Sequence, residues 1–430
     1  MSTDLPANLD RQNLEFSYAY DLIQKTRESV FLTGKAGTGK STFLKVISRE
    51  TEKKHVILAP TGIAAINAKG ETIHSFFQLP LGPILPNDKR LASTSMSREK
   101  IKLISSLELI IIDEISMVRA DVIDALDYVL RRVTKQYNRP FGGKQLLFVG
   151  DLFQLEPVVT GDTWEILDQF YETPYFFGAR VFNDLNLVNI ELQRVYRQTD
   201  EAFISLLNSI RNGDVSYDAL ATLNYRYTGQ HEADPEDFSI TLTTTHSVAN
   251  GINNNNLAKL PGQPVSIEGE IEGDFPMKSL PTAYELELKK GAQVIFIRND
   301  YEGDLDAEQG TIRRWVNGTI GKVDDFDEDG VWVRLSDEQV HKVQKESWER
   351  IQYNYDGQKG EVVEQVMGTF RQFPLKLAWA VTIHKSQGLT FERCQIDLGR
   401  GAFAGGQLYV ALSRCRSLEG LTLRTRVRPK

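Results

Sequence analysis

The chain has 430 residues, a length that suggests two to four domains, and a formal net charge of −8. Its 41% hydrophobic and 25% charged residues are typical of globular proteins. It has no apolar run near the roughly 18 residues that span a bilayer, no basic-then-apolar signal pattern, and too few cysteines, two, for a disulfide framework or zinc cluster. We therefore expect an intracellular protein without a membrane partner, cytoplasmic or nucleoid-associated if bacterial, and the acidic charge argues against indiscriminate binding to nucleic acid.

The first half of the chain alternates short apolar segments with helical patterns of crossover length. Buried, β-branched segments in this arrangement predict a parallel sheet, and open α/β sheets bind ligands at the carboxyl ends of their strands. A stretch with three prolines, Leu79–Ser97, interrupts the alternation and is predicted to be an excursion from the sheet. The predicted strands are Val30–Leu32, Val56–Leu58, Leu109–Ile112, Leu146–Val149 and Leu187–Ile190.

A second α/β region is predicted to begin near Gln193 and to be interrupted between Lys289 and Tyr353 by a series of short strands. The α/β pattern returns at Phe373, so a small β-barrel module is expected to split one α/β domain. The helices predicted in this half are Phe203–Arg211 and Ser247–Leu257, and the strands are Phe238–Thr243, Gln293–Ile297, Gly318–Phe326 and Val331–Leu335.

The octapeptide Gly34–Ser41 fits the phosphate-binding pattern G-x-x-x-x-G-K-[ST] at every position, between a predicted strand and a helix predicted at Thr42–Arg49. Its glycines allow backbone N–H groups to face phosphates, and the helix N-terminus adds positive potential. Lys40 is predicted to reach the β- and γ-phosphates, and the Ser41 hydroxyl to bind Mg²⁺. The nucleotide-binding candidates are Gly37, Thr38, Gly39, Lys40, Ser41 and Thr42.

Polar residues follow two of the predicted strands, Leu109–Ile112 and Leu146–Val149. Asp113 and Glu114 end the first of them, where Asp113 is predicted to hold the metal and Glu114 to polarise an attacking water; a plain helix start is the alternative. The other strand leads into Gly150–Pro157, in which Gln154 is a candidate sensor of the γ-phosphate, although its neighbours are ordinary loop residues.

Two later segments, Leu192–Gln198 and Tyr409–Arg416, supply arginines beyond the first predicted sheet. An arginine that reaches the γ-phosphate from a neighbouring domain stabilises charge in the transition state and couples hydrolysis to domain closure. The alternative is that these arginines only cover a helix surface.

Two further segments, Leu58–Phe77 and Val381–Gly388, each place hydroxyls, backbone N–H groups and a histidine at a strand-to-helix edge. Such groups can bind the phosphates of a single strand, and neighbouring rings can stack on bases. The alternative is that the histidines are structural hydrogen-bonding groups. The DNA-binding candidates are Thr61, Gly62, His74, Phe76, Thr382, His384 and Lys385.

Together these segments resemble superfamily-one helicases of the RecD-like, 5′→3′ class, and most closely the PIF (petite integration frequency) family of DNA helicases. The resemblance covers nearly the whole chain. Asp121–Val133 also resembles the family's additional helix, and Arg313–Gly321 resembles part of its β-barrel. The segments similar to helicase motifs I, Ia, II, III, IV, V and VI are, in that order, Gly34–Thr42, Pro60–Phe77, Ile111–Val118, Gly150–Pro157, Leu192–Gln198, Ala380–Gly388 and Gln407–Arg416.

The resemblance implies an α/β fold with two RecA-like P-loop domains built on parallel sheets, a small wedge element (1B) and an SH3-like β-barrel insertion (2B). Domain 1A would comprise residues 1–78 and 98–190, and 1B residues 79–97. Domain 2A would comprise residues 191–288 and 354–430, and 2B residues 289–353.

The resemblance further implies that ATP and Mg²⁺ are the cofactors, that Arg197 and Arg414 bind the γ-phosphate, and that Gly388 belongs to the nucleotide site. The family's adenine-reading glutamine has Gln12 as its candidate here. The implied activity is ATP-dependent 5′→3′ unwinding by a protein that is monomeric in solution. Its implied substrates are single-stranded DNA, forked or tailed duplexes, DNA–RNA hybrids and G-quadruplexes. A translocase subunit of a recombination or nuclease complex and a non-hydrolysing, ATP-gated strand-binding module remain alternatives.

Overall fold

A computed structural model of the chain describes residues 13–93, 95–198, 200–229, 238–300, 305–306, 310–311, 314–327, 330–356, 361–399 and 406–428. Within these ranges, no helix has the length and apolar character needed to cross a membrane. The fold is α/β, with two separate parallel sheets and several antiparallel sheets whose strands lie in sequence between β7 and β20 of the second parallel sheet.

The first α/β region, the described residues of 13–192, surrounds a six-stranded sheet. Its strands are β1 (Ser29–Gly34), β2 (His55–Ala59), β3 (Glu71–Thr72), β4 (Leu109–Ile112), β5 (Gln145–Val149) and β6 (Leu187–Leu192). They lie in the order β3-β2-β4-β5-β1-β6, and every neighbouring pair is parallel. The parallel sheet and the five strands expected in this half are confirmed, and the two-residue β3 is additional.

Helices cover both faces of this sheet, because both faces of each central strand are apolar. In β4, Leu109 and Ile111 enter one hydrophobic cluster while Ile110 and Ile112 enter another, as the alternation of side chains along a strand requires. The helices of this region are α1 (Leu14–Lys25), α2 (Lys40–Glu50), α3 (Gly62–Asn67), α4 (Ile73–Phe77), α5 (Lys89–Ser93), α6 (Arg98–Ser106), α7 (Ala120–Thr134) and α8 (Gly161–Leu167).

The proline-containing stretch 79–97 leaves the sheet, as expected, and packs back onto α7. Ile84 is buried in the region's core, and its backbone N–H donates to Oδ2 of Asp121 at 2.9 Å. Arg119 ion-pairs with Asp121 and also donates to the carbonyl of Gly82 at 2.7 Å. These contacts anchor the excursion to the first α/β region; its role as a wedge stays a prediction.

The rest of the chain contains helices α9 (Glu201–Asn212), α10 (Tyr217–Tyr225), α11 (His246–Lys259) and α12 (Gln407–Leu412). Its strands are β7 (Ile240–Thr243), β8 (Val265–Glu268), β9 (Glu270–Gly273), β10 (Glu285–Leu288), β11 (Gln293–Phe296), β12 (Leu305–Asp306), β13 (Gly310–Thr311), β14 (Ile320–Asp327), β15 (Gly330–Leu335), β16 (Val340–Val343), β17 (Glu346–Asp356), β18 (Glu361–Gln372), β19 (Leu375–Leu377), β20 (Ala380–Thr382), β21 (Cys394–Asp397) and β22 (Leu421–Leu423).

The second α/β region, the described residues of 193–259 and 380–428, has a parallel sheet in the order β20-β7-β21-β22. Segments on both sides of the intervening β strands therefore contribute to one sheet. This confirms that the α/β pattern resumes after a β module.

The β insert, the described residues of 265–377, contains a five-stranded antiparallel sheet in the order β16-β15-β14-β11-β19. A second, three-stranded sheet has the order β17-β18-β9. Trp315 stacks on Phe296 in the insert's core, with ring centroids 4.5 Å apart. Antiparallel strands thus extend beyond both ends of the expected 289–353 module; its SH3-like character and the domain boundaries stay predictions.

Candidate functional site

The phosphate-loop segment connects β1 to α2 at the carboxyl edge of the first sheet. Gly37 and Gly39 have φ angles of +80° and +94°, in the left-handed region that favours glycine. A Cβ on Gly37 would lie 2.4 Å from Cβ of Arg197, so a larger residue does not fit there. The N-terminus of α2 has no side-chain cap, which leaves its backbone N–H groups able to bind phosphate.

Lys40 lies over this loop. Its Nζ donates to the carbonyls of Gly34 at 2.6 Å and Lys35 at 3.0 Å. Burial lowers the pKa of Lys40 from its usual value, while the carboxylates of Asp151 and Glu114 act in the opposite direction. The ammonium is therefore already at the loop and close to negative groups of the cleft.

The other candidates of the loop differ in exposure. Thr38 is buried, and its Oγ1 donates to the carbonyl of Lys35 at 2.9 Å, which holds the loop closed. Ser41 is exposed and Thr42 half-buried in the first turn of α2. The hydroxyl of Ser41 is thus accessible to a ligand.

Asp113 directly follows β4 and accepts a hydrogen bond on Oδ1 from the backbone N–H of Glu114 at 2.9 Å. Burial raises the pKa of the Asp113 carboxyl above its usual range. In the described ranges no group of three or more His, Cys, Asp or Glu side chains could hold a metal ion. One carboxylate and the Ser41 hydroxyl suit Mg²⁺, which takes its remaining ligands from phosphates and water.

Glu114 has a φ of +51°, a rare left-handed conformation for a residue with a side chain. Burial, and then the negative charge of Asp113, raise the pKa of its carboxyl. Oε2 of Glu114 accepts a hydrogen bond from Nε2 of Gln387 at 3.1 Å, and the same nitrogen is 3.5 Å from Oε1 of Gln154. Gln154 is itself 8% exposed and donates from Nε2 to Oδ2 of Asp151 at 3.2 Å. Three polar side chains from both α/β regions thus converge on one point.

Arg197 and Arg414 both lie at the face of the second α/β region that meets this cleft. Arg414 is 2% exposed and donates from Nε to the carbonyl of Val410 at 3.0 Å, while Arg197 donates from Nη1 to the carbonyl of Ser413 at 3.3 Å. Burial, and then the charge of Arg197, lower the pKa of Arg414 to about 9, and burial lowers that of Arg197 to about 10. Neither forms an ion pair within the described part of the chain, so their charges suit an anionic ligand.

Sequence reasoning missed several residues that join the two regions. Tyr409 accepts the backbone N–H of Ala36, in the phosphate loop, on its hydroxyl oxygen at 2.9 Å. Gln198 donates within the second region, from Nε2 to the carbonyls of Ser413 and Cys415, each at 3.1 Å, and its Oε1 would lie 3.4 Å from a Cβ on Gly37 in the phosphate loop of the first region. Gln387 is the third such residue. All three lie within the segments that resemble helicase motifs IV, V and VI, and that position was the only signal available.

The DNA-binding candidates of the first region lie near the starts of helices. Thr61 is exposed and caps α3, where its Oγ1 accepts the N–H of Ala64 at 3.2 Å. Gly62 follows; a Cβ there would lie 3.2 Å from Oγ of Ser279, in the β insert. His74 is half-buried in α4, and burial lowers its pKa.

Phe76 is a correction to the sequence-based expectation. Its side chain is fully buried in the core of the first region. The ring of Phe77 packs edge-on against it at 4.8 Å, and the ammonium of Lys100 lies 3.7 Å from the ring centroid. Phe76 is therefore a core residue and not a ring for base stacking.

The DNA-binding candidates of the second region lie at the end of β20 and directly after it. Thr382 is buried, and its Oγ1 accepts the N–H of Lys385 at 3.3 Å; the Lys385 side chain is exposed. His384 is half-buried, and burial, with a contribution from His246, lowers its pKa. Gly388 has a φ of +81° and open space around it. Gln12, the adenine candidate, lies outside the described residues.

Comparison with known proteins shows which family the chain is similar to. A family profile described as "PIF1-like helicase" matches residues 11–219. The human ATP-dependent DNA helicase PIF1 is 35% identical over 405 residues, which cover 92% of this chain and 58% of the human protein. The ATP-dependent DNA helicase Pif1 of Bdellovibrio bacteriovorus is 34% identical over 419 residues, which cover 95% of this chain and 87% of that protein. The chain therefore spans less than two thirds of the human relative and most of the bacterial one.

Solved structures are also similar. Pif1 from Bacteroides sp in complex with ADP-AlF4 matches with a TM-score of 0.87 at 39% identity, covering 96% of this chain and 92% of that one. Bacteroides Pif1 bound to ssDNA matches with a TM-score of 0.66 at 39% identity, covering 97% and 92%. A structure of two coordinating Pif1 helicases at forked dsDNA matches with a TM-score of 0.66 at 38% identity, with the same coverage.

Proposed function

Because the chain belongs to the family of PIF1-like DNA helicases, we propose that it is an ATP-dependent DNA helicase that translocates 5′→3′ on single-stranded DNA and unwinds duplex. The observation that carries the proposal is the contact of Gln387 with Glu114 and Gln154 across the cleft. Gln387, which makes this contact with the Glu114 carboxylate, follows His384 by three residues and Lys385 by two, and both of these side chains are suited to binding a DNA strand.

The nucleotide chemistry follows from the residues of the cleft. Lys40 and the N–H groups of the loop bind the β- and γ-phosphates, and Glu114 orients the attacking water. Asp113 and Ser41 would hold Mg²⁺, which when bound neutralises phosphate charge. Support comes from the exposed Ser41 hydroxyl and from Asp113, which follows β4 at the same carboxyl edge of the sheet. Gln12 remains the candidate for reading adenine, and Gly388 for lining the nucleotide site.

Arg197 and Arg414 stabilise the charge that develops on the γ-phosphate. Support comes from the burial of Arg414 and the half-burial of Arg197 without an ion pair in the described ranges, because a guanidinium removed from water is costly unless an anion meets it. Gln154 senses the same phosphate. Since the arginines and Gln154 come from different α/β regions, the γ-phosphate favours a closed cleft and its loss favours an open one.

Movement of the DNA strand is coupled to the opening and closing of the nucleotide cleft. We assign the strand to Thr61, Gly62 and His74 on one α/β region and to Thr382, His384 and Lys385 on the other, where alternating grip advances the DNA. Residues 79–97 form the wedge (1B). The two α/β regions are RecA-like domains 1A and 2A, and the β insert is the SH3-like domain 2B.

The proposed substrates are single-stranded DNA and forked or tailed duplexes, which are supported by the ssDNA and forked dsDNA in the two solved relatives. G-quadruplexes and DNA–RNA hybrids extend the proposal on family resemblance alone. We further propose an intracellular protein that is monomeric in solution. A non-hydrolysing strand-binding module is less well supported, because the acids, the glutamine and both arginines of a hydrolytic site are all present in the cleft.

The hydrolysis claim is tested with Lys40→Ala. Loss of a charged phosphate contact in the transition state should lower single-strand-stimulated ATP turnover by roughly 100-fold or more. Lys45→Ala, an exposed lysine of the same helix, is the matched control and should leave turnover unchanged. Wild-type turnover in Lys40→Ala would refute the assignment.

Polarity is tested by unwinding of 5′-tailed and 3′-tailed duplexes by the purified chain. Faster unwinding of the 5′-tailed substrate is expected. Unwinding only of the 3′-tailed one would refute the direction, and robust turnover without any unwinding would favour a translocase subunit that needs partners.

A further inference from the structure

Arg211, near the end of α9, is a buried cation that the nucleotide chemistry described above does not use. Its Nη2 lies 3.3 Å from Oδ1 of Asp151 and 3.3 Å from Oε1 of Glu191. The Arg211 side chain is 7% exposed, and that of Asp151 is fully buried. Both carboxylates belong to the first α/β region and Arg211 to the second. One guanidinium therefore links the two regions beside the nucleotide cleft.

The turn that Arg211 contacts carries Gln154. Oδ1 of Asp151 accepts the N–H of Phe153 at 3.2 Å, and the carbonyl of Asp151 accepts the N–H of Gln154 at 3.0 Å. Oδ2 of Asp151 accepts the side-chain amide of Gln154 at 3.2 Å. The guanidinium of Arg211 also lies 4.2 Å from the centroid of the Phe153 ring. The direction of the Gln154 amide is thus fixed through Asp151, and Asp151 is held by Arg211.

A second group of the same region closes on this turn from another side. Gly406, the residue before α12, has a φ of +75°, and a Cβ on it would lie 1.8 Å from the carbonyl oxygen of Gln154. No larger residue fits without moving the turn. The turn 151–154 is therefore held between the end of α9 and the start of α12.

The hydrogen bonding of Arg211 is incomplete for a purely structural arginine. Its Nε is buried and has no hydrogen-bond partner among the described residues. An unsatisfied buried donor weakens the folded state, so the guanidinium is oriented for Asp151 and Glu191 at the expense of its own third donor position.

We propose that Arg211 is a positioning residue for ATP hydrolysis. It holds Asp151, and through it the Gln154 amide, in the direction that meets the γ-phosphate when the two α/β regions are closed. The inference rests on the proposed function and deepens it, because it names a device by which the second region sets the geometry of a sensor in the first. Arg211 does not touch the nucleotide.

The experiment compares wild type, Arg211→Gln and Arg211→Lys. Single-strand-stimulated kcat should fall about tenfold in Arg211→Gln, with KM for ATP changed less than about twofold, since the loss arises in the transition state. Arg211→Lys keeps the charge next to Asp151 and should recover part of kcat. Affinity for ADP with aluminium fluoride should fall by a similar factor, while affinity for ADP alone is retained.

The control is Arg226→Gln. Arg226 packs in the same α/β region by donating from Nε to the carbonyl of Leu421 at 2.8 Å, away from the cleft. It should lower the thermal midpoint without separating the affinities for ADP and for ADP with aluminium fluoride. If Arg211→Gln loses both affinities equally, or hydrolyses ATP with wild-type kcat, the positioning role is wrong. Absence of turnover in wild type would instead refute the proposed function.

Discussion

Gln387 donates a hydrogen bond from its side-chain amide to Oε2 of Glu114 across 3.1 Å, although the two residues are 273 positions apart in the chain. Glu114 lies two residues after strand β4 of the first sheet, whereas Gln387 follows His384 and Lys385 in the segment that we assign to DNA. A displacement of that segment by DNA therefore changes the surroundings of Glu114 directly. In this proposal, two side chains in contact, Gln387 and Glu114, couple the bound DNA strand to the nucleotide.

Replacement of Gln387 by Ala should slow hydrolysis without weakening ATP binding. A hydrogen bond to a charged group contributes about 1.5–3 kcal/mol, which corresponds to a fall in single-strand-stimulated kcat of about 10- to 100-fold. Gln387→Glu should lower kcat further, because it places a like charge against Glu114. Steady-state ATPase measurements check both. Gln136→Ala, an exposed glutamine outside the cleft, is the control, and a wild-type kcat in Gln387→Ala would contradict the coupling.

Arg414 and Arg416 offer a matched pair two residues apart. Arg414 is buried beside the cleft, whereas Arg416 is exposed and ion-paired with Glu392. Arg414→Ala should abolish unwinding while affinity for single-stranded DNA is retained, because we propose that the guanidinium binds the γ-phosphate and not the DNA. Arg416→Ala should change unwinding little, since exposed ion pairs contribute at most about 1 kcal/mol. Unwinding rates and DNA anisotropy measure the two effects; unaltered unwinding in Arg414→Ala would exclude its role.

The sequence predicts those parts of the fold that depend on local pattern. Leu109–Ile112 is short, apolar and rich in β-branched residues, which predicts a buried strand, and the spacing of Gly34, Gly39 and Lys40 identifies the phosphate loop. Each of these signals lies within one short window of the chain. Five of the six strands of the first sheet follow from a series of such windows, whereas the two-residue strand β3 does not.

The contacts that join the two regions are not predictable in this way. Gln387, Tyr409 and Arg211 find partners more than 50 residues away. Gln387 and Tyr409 lie within segments that resemble helicase motifs, but no local pattern shows which side chain of a segment contacts the other region. The prediction that Phe76 stacks on a base was wrong for a related reason. A ring next to a candidate strand-binding histidine can lie on either side of a short helix, and only tertiary packing decides that it lies in the core.

The burial of Phe76 predicts that its replacement affects stability and not DNA binding. Phe76→Ala should lower the free energy of unfolding by about 3–5 kcal/mol, because it removes a fully buried ring. Phe76→Leu keeps most of the volume and should cost less, so it also serves where the alanine variant fails to fold. Urea unfolding and DNA anisotropy check this. Tyr137→Ala, at a 62% exposed ring, is the control. Weaker DNA binding by a Phe76→Leu protein of unchanged stability would restore the stacking role.

Lys376, on β19, predicts a pH dependence of stability. Burial, and then the charge of Lys385, lower the pKa of its ammonium to about 8 from the usual 10.5. The folded state therefore binds this proton more weakly than the unfolded state does. Below about pH 8 both states are charged and the full cost of burying the charge is present. Between pH 8 and 10.5 only the unfolded state keeps the proton, so the cost declines as pH rises.

Lys376→Met removes this charge while keeping an apolar stem of similar length. The free energy of unfolding at pH 7 should rise by about 1–3 kcal/mol, since each unit of pKa shift corresponds to about 1.4 kcal/mol. The gain should shrink as the pH rises from 8 towards 10.5, because the wild-type lysine then becomes neutral in the folded state. Urea titrations of both proteins at pH 7, 8.5 and 10 measure it, with Lys278→Met, at an exposed lysine, as the control. A gain that stays constant across this range would mean that packing, and not the buried charge, sets the difference.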